Sequence, residues 1–170
     1  MFFNRKSKKE NNNIYAIYIE SENYNKIVQN DLSLINFLIL YNDNTAQSIM
    51  VLNGKENITQ GNFIVDNKHI ILKLDRGHNK EGFTISMYHL LTINQNNSLH
   101  TDIIYNNIKS CNNSISQNKS LVELKEDIYN GIDTDLLTKT EAANQKDINY
   151  NLLEYNDYKK IRDKINKAYN

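Results

Sequence analysis

Four histidines and one cysteine are the side chains of this sequence most readily put to chemical work. His69, His78, His89 and His100 fall on or near consecutive apolar runs, while Cys111 lies in a polar stretch. A metal site needs several ligands converging on one face, and neither His-x-His nor His-Glu-x-x-His spacing is present. A single cysteine excludes an intramolecular disulfide and a cysteine-based zinc cluster. With no histidine near it in sequence, Cys111 reads as incidental rather than nucleophilic. A serine hydrolase would draw on Ser86, His78 and Asp75, but no Gly-x-Ser-x-Gly elbow accompanies them. The five glycines never cluster into a phosphate-cradling loop. The expectation is no catalytic residue, no metal and no cofactor.

Only His89 sits on an apolar face. In 83–93, Phe83, Ile85, Met87, His89, Leu91 and Ile93 alternate with Thr84, Ser86, Tyr88 and Thr92. Period two with one apolar face predicts a half-buried antiparallel strand. In a closed barrel Phe83, Ile85, Met87 and His89 would point inward and line a ligand pocket. The competing expectation is a buried, hydrogen-bonded core histidine.

The elements that must position these residues fall into two groups. Residues 1–13 are polar and basic, a mobile N-terminus. From Ile14 to Tyr105 apolar runs are separated by Asn, Asp and Gly, which predicts strands at 14–20, 34–41, 46–52, 61–65, 69–74, 83–93 and 99–105. Asn42-Asp43-Asn44-Thr45, Asp66-Asn67-Lys68 and Gln95-Asn96-Asn97-Ser98 supply residues that tolerate the left-handed backbone of a tight turn. The stretch 24–41 is ambiguous, because Ile27, Val28, Asp31, Leu34, Ile35 and Leu38 also share a helical face. A polar connector spans 106–119. Two capping boxes follow, Ser120-Leu121-Val122-Glu123 and Thr138-Lys139-Thr140-Glu141. The first opens a helix ending near Asn130 and Gly131. The second opens a longer one, along which Ile148, Leu152, Tyr155, Tyr158, Ile161, Ile165 and Ala168 recur at three and four. The predicted class is α+β: an antiparallel meander sheet or open barrel over 14–105, then a helical segment, 120–170, packing on or beside the sheet.

The stretch from Leu34 to Ile104 resembles a lipocalin-like β-meander. Phe37-Leu38-Ile39-Leu40-Tyr41 turns at Asn42-Asp43, and Gly61-Asn62-Phe63-Ile64-Val65 hairpins through Asp66-Asn67-Lys68 into His69-Ile70-Ile71-Leu72, before Phe83 to Ile93. The likeness covers about 70 of the 170 residues and is one of pattern, without the Gly-x-Trp found near the start of lipocalins. It implies a barrel holding a small apolar ligand.

Composition bounds the partners. There are 30 Asn, 17 Lys against 3 Arg, and no Pro, a bias matching AT-rich codons and so an AT-rich microbe, phage or mobile element. The Asn are spread through the periodic apolar positions, which excludes a prion-like tract. Asn57, Asn96, Asn112 and Asn118 begin Asn-x-Ser/Thr triplets, as chance provides in so Asn-rich a chain. Formal charge is zero, so no global field steers the chain to nucleic acid or an acidic membrane. Basic clusters at Arg5–Lys9 and Lys159–Lys167 fit solubility and helix-dipole compensation. No signal-peptide core or transmembrane run is apparent, and the cytoplasm is the expected compartment. These points favour a non-enzymatic protein-interaction module, an accessory or host-interaction factor. It would capture another protein or its own copy through Leu152, Tyr155, Tyr158, Ile161, Ile165 and Tyr169 on the last helix. The alternatives are the ligand-binding barrel and, last, an uncharacterised hydrolase.

Overall fold

The computed structural model of the chain describes residues 13–78, 83–110, 138–139 and 148–170, with Val122 and Glu126. For 76–78, 83–86, 103–110 and 138–139 only the backbone is described. The element order is β1 (Ile14–Glu20), α1 (Ser21–Val28), β2 (Leu34–Tyr41), β3 (Thr45–Leu52), β4 (Lys55–Asp66), β5 (His69–His78), β6 (Phe83–Ile93), β7 (Leu99–Ser110), β8 (Thr138–Lys139), β9 (Asn149–Leu153) and α2 (Tyr155–Tyr169).

The turns are built where side chains tolerate a left-handed backbone. Asn30, Asn44, Asn53, Asn67 and Asn97 all have positive φ, as does Gly54, and Asn is among the few residues for which that costs little. The Asp43 carboxylate accepts from the backbone N–H and hydroxyl of Thr45, at 3.0 and 2.6 Å. That closes the β2–β3 hairpin with a side-chain turn.

Strands β1 to β7 form an antiparallel meander, and β9 lies between β7 and β1. Because β6 also pairs with β7 along its length, the sheet closes into an eight-stranded antiparallel barrel, with the short β8 beside β7. The lumen is lined by Tyr18, Leu38, Leu40, Ala46, Phe63, Ile70, Leu72, Leu74, Leu91 and Leu99. The opposite parity of β1, β2 and β3 packs outward under α2, with Ile17, Ile19, Ile35, Phe37, Ile39, Ile49 and Val51 meeting Ile161 and Ile165. Both faces of Ile17–Ile19 in β1 and of Phe37–Leu40 in β2 are therefore buried, which is why Phe37–Leu40 reads as an unbroken apolar run.

The strand expected at 34–41 is present, and a helix over 21–28 precedes it, as the ambiguous stretch allowed. Four segments differ from the sequence reading. β4 starts at Lys55, six residues before the strand expected at 61–65. β7 continues to Ser110, through the first residues expected to be connector. Thr138–Lys139 pair with β7 as strand, and 149–153 form a strand instead of helix. The three-and-four pattern that runs from Ile148 through Leu152 becomes helical only at Tyr155, because Asn149–Leu153 supplies the barrel's closing ladder. Of the helix expected at 121–130, only Val122 and Glu126 are described, and both are helical. Residues 1–12, the connector 111–119, and Thr140 and Glu141 of the second capping box lie outside the described residues.

Candidate functional site

Among the described residues the lumen wall carries buried polar side chains beside its aliphatics. Tyr18 comes from β1, His89 from β6 and Thr101 from β7, and all are buried. Alternation along each strand places them inside. Tyr18 is in register with Leu38, His89 with Leu72, and Thr101 with Leu91, all lumen residues. Burial pushes the Tyr18 phenol up to about 12, with the Tyr15 phenol nearby adding to the shift. The Thr101 hydroxyl is fully enclosed and has no hydrogen-bond partner among the described residues. A register shift between Leu90 and Leu91 moves the pairing on β7 from Ile103 to Thr101, so Asp102 is bulged and Thr101 pairs with Leu91 while His89 pairs with Ile104. An enclosed hydroxyl left without a partner costs about 1–3 kcal/mol.

Of the predicted pocket residues, His89 is buried and Met87 is half-buried on the lumen parity. The side chains of Phe83 and Ile85 lie outside the described residues, though their strand positions share that parity with Met87. The sequence reading passed over Tyr18 and Thr101. Their signal was present, since each alternates with residues of the other face, but alternation alone does not say which face becomes a lumen.

A polar network holds α1 against β2 and β9. The Asn36 amide donates to Glu20 at 2.7 Å, and the Asn36 backbone N–H donates to the buried Asn23 at 2.7 Å. Ser21 donates to Asn151 at 3.0 Å. On the outside of β6 and β7, Thr92 donates to Asp102, while His100 meets Asn149 at 2.7 Å and Asp102 at 3.7 Å. The hydroxyl there faces the carboxylate, not the imidazole, which is not the nucleophile–base–orienter order of a hydrolytic triad. Asp75 and Ser86 of the alternative triad are paired in register, and the side chains of Ser86 and His78 lie outside the described residues. Among the described residues no group of three His, Cys, Asp or Glu converges to hold a metal ion.

The expected partner-binding residues divide in two. Ile161 and Ile165 are buried beneath α2, and Tyr158 stacks edge-on against Phe37 at 5.1 Å. Leu152 and Tyr169 are exposed. A groove lies on each side of the helix. One, of about 460 Å³, runs past Tyr41, Asp43, Gln47, Tyr155 and Tyr158. The other, of about 530 Å³, runs past Tyr24, Val28, Leu152, Asp157 and Lys160. Arg162 crosses the helix face to pair with Glu56, its guanidinium 6.0 Å from the Phe37 ring and 5.9 Å from that of Tyr158. Burial lowers its pKa. No described helix is long and apolar enough to cross a membrane. No family model, curated protein or solved structure matches the chain.

Proposed function

We propose that the chain is a binding protein whose lipocalin-like barrel takes a compact, mainly apolar molecule bearing one hydrogen-bonding group. The observation that carries this reading is the Thr101 hydroxyl, enclosed in a mainly apolar lumen with no partner among the described residues. An eight-stranded barrel has an interior just wide enough to be filled by side chains or to hold one small ligand. A ligand alcohol, carboxyl or carbonyl beside Thr101 and His89 would satisfy that hydroxyl, while Leu72, Leu91 and Met87 would line its apolar body. Function then rests on exclusion of water and one directional bond.

The test is a titration of the full chain with cis-parinaric acid, whose fluorescence rises in an apolar cavity, alongside native mass spectrometry of the purified protein. Saturable one-to-one binding is expected. Thr101→Val should weaken it about five- to tenfold, the worth of one hydrogen bond. A non-saturating signal, with no bound molecule in the mass spectrum, would remove the support for a ligand-holding lumen.

A second reading, an accessory protein-interaction module built on α2, is favoured by the exposed Tyr24, Val28 and Leu152 around the groove beside that helix. An apolar cluster rimmed by Asp157 and Lys160 has the anatomy of a small docking surface. Deleting 138–170 cannot test it cleanly, because that removes β9 and opens the barrel. Leu152→Glu is the sharper probe, since it should leave folding intact and abolish capture of a partner by this face.

A further inference from the structure

β4 outlasts its neighbour. Its residues Lys55–Asn62 pair with β3, but pairing with β5 begins only at Gly61. Among the described residues no strand meets the second edge of Lys55–Gln60. The cause is local. A Cβ on Gly61 would lie 1.9 Å from the Lys73 carbonyl oxygen, so the two backbones touch there and then diverge. The β3–β4 ribbon thus projects past the barrel, one face on α2 through Val51 and the Glu56–Arg162 pair. Met50, Leu52 and Ile58 are exposed at 37, 48 and 44 %.

The ladder dictates which groups are free. A two-residue turn, Asn53-Gly54, joins β3 to β4, and the residues flanking such a turn form a hydrogen-bonded pair. Lys55, Asn57 and Thr59 therefore bond to β3. Glu56, Ile58 and Gln60 direct their N–H and C=O groups to the open side. The same alternation continues up the strand, where Asp66 and His69 flank the next two-residue turn and pair with each other.

We propose that this edge pairs with the same edge of a second copy, antiparallel about a two-fold axis through Ile58. In that register Ile58 faces Ile58 of the second copy, and Glu56 faces its Gln60. All three residues that point outward from each chain then bond, and no like charges are opposed. A register centred on Glu56 sets two carboxylates face to face, and one centred on Gln60 runs into the stretch already bonded to β5. The edge also lacks the usual guards against pairing: among Glu56–Gln60 there is no proline, no bulge and no lysine. Charge and register together favour a second copy over an unrelated strand.

Sedimentation velocity of the full chain over a wide concentration range tests this. Reversible dimerisation is expected. Ile58→Lys, which sets two ammonium groups against each other at the axis, should raise the dissociation constant more than about tenfold. Hydrogen exchange gives an independent readout: amides of Glu56, Ile58 and Gln60 should gain protection with concentration, while those of Asn57 and Thr59 stay protected throughout. A chain that remains monomeric overturns the proposal. So does a dimer unaffected by Ile58→Lys, or one whose edge amides stay unprotected.

Discussion

Replacing Ile165 by Ala tests whether α2 belongs to the core. Ile165 is 1 % exposed and sits among Ile17, Phe37, Ile49 and the other outward residues of β1–β3. The change removes three buried carbon groups, worth about 0.8 kcal/mol each, or about 2.4 kcal/mol together. The cavity left behind adds to this, because a sheet on one side and a 15-residue helix on the other collapse only in part. Alanine is the better helix former and returns about 0.5 kcal/mol. The net loss should be about 2–4 kcal/mol, read as a lower urea midpoint with unchanged slope. Lys167→Ala, on the exposed face two residues on, serves as control and should stay within about 0.5 kcal/mol. If Ile165→Ala behaves like that control, α2 is not docked, and the account of why β1 and β2 are apolar on both faces fails.

Gly61→Ala should destabilise by about 1–3 kcal/mol or more, since its Cβ would meet backbone rather than a movable side chain; thermal unfolding checks this. Tyr18 ionises at about 12 in the folded chain against an ordinary 10.0. The unfolded chain therefore releases its proton first, and the linked stability is complete below pH 10.0 and lost as pH rises toward 12, by about 2–3 kcal/mol. Tyr18→Phe should flatten that alkaline loss in urea titrations across the same range. Thr101→Val should raise the stability of the ligand-free protein by about 1 kcal/mol, because it removes an enclosed hydroxyl that has no partner among the described residues. Unchanged or lowered stability would mean that the hydroxyl is satisfied in solution.

Particular residues show how far local pattern reaches. In β6 the alternation of Met87, His89, Leu91 and Ile93 with Thr84, Ser86, Tyr88 and Thr92 located the strand. Asn44, Asn67 and Asn97 marked their turns, because a left-handed backbone is a property of one residue and its neighbours. β9 escaped for the opposite reason. Tyr150 and Leu152 alternate too briefly to outweigh the three-and-four spacing running on into Tyr155, Tyr158 and Ile161. What makes 149–153 a strand is β1, more than 120 residues earlier in the chain, whose Ile17–Glu20 edge it completes.

The candidate site divides along the same line. His89 was identifiable from an apolar face of period two. That Thr101 and Tyr18 lie on the same enclosed side of the sheet depends on closure of the barrel, which leaves no mark in local spacing.

By itself, then, the sequence determined the strands with period two, the Asn turns and the α+β class, all of which follow from steric and burial preferences within a few residues. Tertiary structure alone decided that the meander closes, that Ile161 and Ile165 face inward, that Thr101 is enclosed, and that among the described residues Glu56, Ile58 and Gln60 are left at an open edge. Those outcomes depend on pairings across most of the chain, where the burial gained by the whole barrel outweighs the preference of any one segment.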